Sequence, residues 1–188
     1  MSTTLAYREA NTALIEACRQ GKEEAFRELY LLYAKAMFNT AMRLLNDRDE
    51  AEDVLQDSFI AAFGNLRRYS GKASFGSWLK RIVINHSIDA IKNRLKLDTV
   101  SLDHIDAAEE ESVEEEEVVY DVEMIRNGIQ QLPDGFRIVL TLYLFEGYSH
   151  AMIAEQLKIS EGTSKSQYHR ARKKLVELIT PKRIAHER

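Results

Sequence analysis

A chain of 188 residues has room for one medium domain or two small ones, and a hydrophobic share of 45% is enough to build cores. Only 8 Gly and 2 Pro leave too few turn residues for an all-β fold, so an all-α protein is expected. The formal charge of −4 would exclude nucleic-acid binding only if the acids were evenly spread, and 11 of the 30 Asp and Glu fall between Ser101 and Glu123, where there is no Lys or Arg.

The remainder carries 26 basic against 19 acidic residues, so two basic bodies flank one acidic connector. The single Cys18 cannot form an internal disulfide and sits in an apolar helical pattern, which suits a buried small residue in a reducing compartment. There is no signal peptide, no lipidation motif and no apolar run of the roughly 18 residues that a membrane helix requires. A soluble, cytoplasmic protein without a membrane partner is expected.

Residues 1–9 read as a loose tail. From Asn11, the positions of Leu14, Ile15 and Cys18 predict a short amphipathic helix that ends at Gly21. A longer helix follows, with Phe26, Leu29, Tyr30, Tyr33, Met37, Phe38, Met42 and Leu45 along one stripe. Asn46 and Asp47 interrupt the pattern, and a third helix runs from about Arg48 to Leu66. Its Val54, Leu55, Phe59, Ala62 and Phe63 face a core, while Asp49, Glu52, Asp53, Gln56 and Asp57 share the other side.

That acidic face has three readings. It is a solvated surface with acids near a helix N-terminus, where the macrodipole favours them; or a metal-binding carboxylate face like that of all-α magnesium-dependent nucleotide hydrolases, with Glu24 and Glu28 as a second pair; or a docking surface for a basic partner. No Lys or Arg constellation for a polyphosphate accompanies the carboxylates, which weighs against the second.

The stretch from Asn65 to Lys96 holds eight Lys or Arg against the single acid Asp89, with Tyr69, Phe75 and Trp78 among the charges. Gly71 makes a loop, Ser74 can cap a helix, and Trp78, Leu79, Ile82, Val83, Ile88 and Ile91 have helical apolar spacing. Basic residues interleaved with aromatics suit single-stranded nucleic acid, since the charges meet the backbone and each stacked base contributes about 1–3 kcal/mol. Phe75 and Trp78 are also readable as plain core residues, and for Trp78, four residues before Ile82, the core reading is preferred.

The segment 101–123 is too charged and too poor in large apolar residues to fold alone, and reads as a flexible linker between a domain over 1–100 and one over 124–188. Val118, Val119, Tyr120 and Met124 begin a short helix to Gln131, which Leu132 and Pro133 break. A helix from Asp134 to Glu146 turns Phe136, Val139, Leu140, Tyr143 and Leu144 inward. Gly147 can end it, and Ser149 caps a short helix to Leu157 with Ile153, Ala154 and Leu157 inside.

After Lys158 and Ile159, Ser160 caps a last helix whose Tyr168, Ala171, Leu175 and Leu178 face a core. Its other side carries Gly162, Lys165, Ser166, His169, Arg170 and Lys173, small at the start and basic further along. Two helices across a short turn, the second with such a face, have the outline of a helix-turn-helix whose last helix enters a major groove. Lys165 and Ser166 would reach base edges or phosphates, and Arg170 and Lys173 would neutralise phosphates. A merely solvated basic helix would have no need of the short capped helix ahead of it.

Four segments in this order, EAEDVLQDSFIAAF, YSGKASFGSWLKRIVINHSID, LPDGFRIVLTLYLFEGYSHAMIAEQL and ISEGTSKSQYHRARKKL, make the chain resemble a bacterial RNA polymerase sigma factor of the extracytoplasmic-function group, over about residues 11–180. The resemblance implies docking of the acidic face (Asp49, Glu52, Asp53, Gln56 and Asp57, with Asp53 and Gln56 best placed) on the basic coiled-coil of the polymerase clamp. It implies that the loop with Tyr69, Ser70, Lys72 and Ser74, together with Asn85, opens the minus-ten promoter element and holds a flipped nontemplate base. A pocket of stacking and hydrogen-bonding groups can offset the cost of flipping, about a few kcal/mol.

The last helix would read the minus-thirty-five element. No catalysis, metal or cofactor belongs to such a protein; its partners are core RNA polymerase, promoter DNA as duplex and as melted strand, and, in many compact members, an anti-sigma protein. Ser164 stands where the family usually has an aliphatic residue, and Gln167 replaces a common arginine. A stand-alone DNA-binding regulator is the competing reading, and it leaves the acidic helix and the aromatic-basic loop unexplained. A connector of about 21 residues spans roughly 70 Å extended but averages roughly 25 Å as a coil, against about 68 Å for two turns of DNA. Two separated elements are gripped only with the connector stretched, so the free protein is expected to bind promoter duplex poorly.

Overall fold

The structure is a computed structural model and describes residues 2–97 and 122–180. Among the described residues there are eight α-helices, one 3-10 turn and no strand. The chain divides into two compact units, Met1–Asp98 and Thr99–Arg188. The acidic stretch lies outside the described residues as far as Asp121, as does the expected helix start at Val118–Tyr120.

The first unit contains α1 (Ser2–Arg19), α2 (Glu23–Leu45), α3 (Arg48–Gly64), the 3-10 turn Leu66–Arg68 and α4 (Phe75–Leu97). The expected loose tail at 1–9 is instead the beginning of α1, which has no Gly or Pro between Ser2 and Arg19 to stop it. Asn46 ends α2 at φ 55, one of the few left-handed positions a short polar residue tolerates. The Asp47 carboxylate then accepts the Glu50 N–H at 2.9 Å and caps α3. Helices α2, α3 and α4 pack against one another in all three pairings, and α1 lies on α2 and the 3-10 turn.

The core of this unit is aliphatic at its centre, with Leu29, Leu44, Leu45, Leu79, Ile84, Ile88 and Ile91 all but sealed from water. Aromatic rings edge it: Phe26 meets Phe63 at 4.9 Å and Tyr30 meets Phe59 at 4.7 Å. The stripe expected along α2 is shifted, because Ala25, Thr40, Ala41 and Leu44 are buried while Tyr30, Tyr33, Phe38 and Met42 stay half-exposed. Phe63, Trp78 and Ile82 are likewise half-buried rather than central.

The second unit contains α5 (Val122–Gln130), α6 (Asp134–Leu144), α7 (His150–Leu157) and α8 (Glu161–Ile179). Ile129, Leu132, Leu140 and Ala171 form its centre, with Ile125, Phe136, Tyr168, Leu175 and Leu178 packed around them. Arg137 is buried and bonds the Leu132 carbonyl at 2.8 Å while pairing with Asp134, which ties the bend at Pro133. The inward assignment of Tyr143 and Leu144 is overturned: they are 38% and 52% exposed, and Ile138, Thr141 and Leu142 are buried instead. Helix α6 packs on α7 and α8, and in its last turn Tyr143 and Leu144 stay partly open to solvent.

Gly128 of α5 faces α8, where a Cβ would stand 2.6 Å from Ile179 Cγ2 and 2.7 Å from Leu175 Cδ1. Alanine would gain about 1 kcal/mol of helix propensity, but overpacking costs about 1–3 kcal/mol. Gly128→Ala should therefore destabilise the second unit by about 1 kcal/mol, and Gly128→Val by more. Thermal melting followed by far-UV circular dichroism checks this; an unchanged or raised transition for Gly128→Val would show that α8 yields freely.

Candidate functional site

Helices α7 and α8 are set by two serine caps and one left-handed turn. Ser149 Oγ accepts the Met152 N–H at 3.2 Å, and Ser160 Oγ accepts the Thr163 N–H at 2.9 Å. Lys158, at φ 60 and ψ 40, occupies the left-handed position that glycine commonly fills, at a cost of about 1–2 kcal/mol for a residue with a Cβ. Ile153, Ser164, Gln167 and Ala171 close the inner face of the pair.

Ser164, the departure from an aliphatic residue, has a partner: its hydroxyl lies 3.0 Å from His150 Nδ1. The His150 ring stacks on Tyr143 at 4.5 Å and meets Tyr168 edge-on at 5.6 Å, so the exposed last turn of α6 is used as a platform for α7. No period or motif announced this triad; its members come from three helices.

On the outer face, Gly162, Lys165, Ser166, His169 and Arg170 gather around one shallow depression of about 340 Å³, with His150 and Tyr168 at its inner edge. Lys173 stands four residues beyond His169, exposed and on the same side. Lys165 forms an ion pair with Glu161 at 2.8 Å, and that bond holds the Glu161 carboxyl below its ordinary value of 4.5. A phosphate reaching Lys165 therefore competes with Glu161. Ser166 Oγ donates to the Thr163 carbonyl at 3.0 Å, which leaves its lone pairs to accept from an outside donor.

The second set of residues lies between the 3-10 turn and α4. Gly71, at φ 72, turns the loop, and the Tyr69 hydroxyl closes it by donating to the Ala73 carbonyl at 2.7 Å. The Tyr69 ring meets Phe75 edge-on at 5.6 Å and Trp78 at 5.3 Å. Phe75 is core, at 2% exposure, whereas Trp78 keeps one side open. Ser74 caps α4 by accepting the Ser77 N–H at 3.2 Å, and Ser70 and Lys72 are exposed. Asn85 lies on α4 two turns beyond Trp78, on the same side, and its buried Oδ1 has no hydrogen-bond partner in the protein.

The third set is the outer face of α3. Asp49, Asp53, Gln56 and Asp57 are exposed, while Glu52 is half-buried and bonded to Arg48 at 2.8 Å. Glu50, one residue from this face, serves the fold through its 3.0 Å pair with Arg94 of α4. Ile60, 70% exposed, extends the face by one more turn and adds an apolar end that the charge pattern did not reveal. Among the described residues no three His, Cys, Asp or Glu side chains come together as metal ligands, so Glu24 and Glu28 do not join the α3 acids.

These features define an all-helical, two-unit DNA-binding protein whose second unit ends in a helix-turn-helix. Residues 29–96 match the family "Sigma-70 region 2", and residues 123–175 match "Sigma-70, region 4". The chain is 32% identical to the RNA polymerase sigma-H factor of Pseudomonas aeruginosa, over 92% of this chain and 95% of that one. It is 31% identical to the ECF RNA polymerase sigma factor SigW of Bacillus subtilis, over 86% and 92%.

Two solved structures share the fold at 24% identity. The sigma factor RpoE of Bartonella quintana, in complex with the anti-sigma factor NepR, gives a TM-score of 0.52 over 84% of this chain and 98% of that one. CnrH, in complex with the cytosolic domain of CnrY, gives 0.50 over 90% and 97%. The chain belongs to the sigma-70 family, in the extracytoplasmic-function group of RNA polymerase sigma factors.

The His150 imidazole is held below its ordinary value of 6.5, first by burial and then by the Lys165 ammonium, with Glu161 opposing. The folded chain thus takes up this proton later than the unfolded chain does, and stability is lost as pH falls from about 6.5 through the folded value. Mild acidification should lower the melting temperature of the second unit more in wild type than in His150→Gln. Parallel pH profiles for the two proteins would remove His150 from that role.

Proposed function

We propose a division of labour along this sigma factor. Residues 1–100 dock on core RNA polymerase through Asp49, Glu52, Asp53, Gln56 and Asp57, and open the minus-ten element with the Tyr69–Ser74 loop and Asn85. Residues 124–188 read the minus-thirty-five element with Gly162, Lys165, Ser166, His169, Arg170 and Lys173, and residues 101–123 connect the two. The observation that carries this reading is the gathering of the predicted residues of α8 around one exposed basic depression. The unpartnered Asn85 acceptor supports the minus-ten assignment, since a buried carbonyl is costly until a donor such as a base amino group meets it.

The chemistry of polymerisation stays with the polymerase, in the cytoplasm, and this chain directs it. The acids of α3, with Ile60 beside them, fit a basic partner surface that also offers apolar contact. An anti-sigma protein covering these faces is the regulator such a chain would answer to, as the Bartonella protein is held by one.

A pull-down with core polymerase followed by run-off transcription and transcript sequencing tests the whole reading. Polymerase binding and promoter-specific transcripts are expected; tight promoter binding with no polymerase association would return the chain to the stand-alone regulators. Lys165→Ala should weaken recognition of the minus-thirty-five duplex roughly tenfold and leave polymerase binding intact. Loss of both together would contradict the division between the units.

A further inference from the structure

Helix α1 ends ten residues before the region 2 match begins at residue 29, yet it reaches the loop assigned to promoter opening. Arg19, in its last turn, sends Nη2 to the Tyr69 carbonyl at 2.7 Å and to the Leu66 carbonyl at 3.4 Å. The Leu66 carbonyl opens the 3-10 turn and also accepts the Tyr69 N–H at 3.2 Å, whereas the Tyr69 carbonyl follows the turn, so the guanidinium spans the turn from its first residue to its cap. Glu16, one turn earlier, holds Nη1 at 3.4 Å and steers the guanidinium toward them. Among the described residues no other hydrogen bond ties the Tyr69 carbonyl, and the peptide it belongs to leads directly into Ser70 and Gly71.

A second tie comes from the same helix. Asn11 Nδ2 donates to the Tyr33 hydroxyl at 3.0 Å, and the Tyr33 ring meets Phe75 edge-on at 5.3 Å. Tyr33 also presses on the start of α4, where a Cβ on Gly76 would lie 2.8 Å from Tyr33 Cε1. Tyr33 thus braces the ring cluster of Tyr69, Phe75 and Trp78 through Phe75, while Arg19 holds the backbone that presents Tyr69.

We propose that Arg19 is a positioning residue for minus-ten strand capture: by gripping the Tyr69 and Leu66 carbonyls it fixes the loop in the shape that meets the melted nontemplate strand. This rests on the assignment of the Tyr69–Ser74 loop and Asn85 to that strand. Arg19 acts through the loop backbone and touches no DNA itself. A lysine keeps the charge and reaches one carbonyl, whereas alanine frees the loop entry.

The test uses full-length protein assembled with core polymerase and a single-stranded oligonucleotide spanning the minus-ten nontemplate sequence of a promoter recovered by run-off sequencing. Arg19→Ala should weaken strand binding on the order of tenfold, the scale of one lost charge-assisted hydrogen bond. Arg19→Lys should fall between it and wild type, with polymerase affinity and minus-thirty-five duplex binding unchanged throughout. If Arg19→Ala binds the strand normally while Asn85→Ala does not, the role of Arg19 is overturned and the loop assignment stands. If neither variant affects strand binding, the loop assignment itself fails. If Arg19→Ala loses polymerase affinity in step with strand binding, the residue merely supports the fold and the inference is overturned.

Discussion

The first unit depends on the burial of α4 against α2 and α3. Leu79, Val83, Ile84, Ile88 and Ile91 are each at most 2% exposed, and full burial of such side chains contributes about 1.5–3 kcal/mol apiece. Once that face is fixed, little else is free. The Tyr69–Ser74 loop must arrive at the N-terminus of α4, Trp78 must stand at its rim, and Asn85 must lie outside the aliphatic seam. Packing α3 on the same seam turns its carboxylates outward. The polar surfaces proposed to meet partners are therefore consequences of one apolar contact.

The second unit solves a harder problem with less material. Helix α7 has 8 residues, too few to be stable alone, and is held by caps and by side chains from its neighbours. The Tyr143–His150–Tyr168 stack and the His150–Ser164 bond join α6, α7 and α8 where an aliphatic contact would otherwise serve. This polar joint borders the depression lined by Lys165 and Arg170, so the seating of α8 and the shape of its basic face are linked. It also brings a titratable ring within reach of the Lys165 ammonium, which an aliphatic contact would not.

Charge is distributed to the same end. An overall −4 conceals a basic α8 and a basic stretch around α4, separated in sequence from the acids of 101–123. The acids of α3 divide between two tasks, with Glu50 spent on Arg94 inside the unit and Asp49, Asp53 and Asp57 left to solvent. Isolated surface ion pairs such as Lys165–Glu161 contribute little to stability, and their interest is the competition that any anion approaching Lys165 would meet.

Helical class, most helix limits, the caps at Ser149 and Ser160, and the basic face of α8 were determined by the sequence itself, because they follow from spacing within one or two turns. Asp53, Gln56 and Lys165 were legible as outward residues for the same reason. The rotation of α6 was not: burial of Ile138 and Leu142 in place of Tyr143 and Leu144 depends on where α7 and α8 lie against it. Nor were the Ser164–His150 bond, 14 residues apart, or the reach of Arg19 to a carbonyl 50 residues away. Periodicity tells which side of a helix is apolar. Only the packed structure decides which partner that side meets, and so which polar groups are brought within hydrogen-bonding distance.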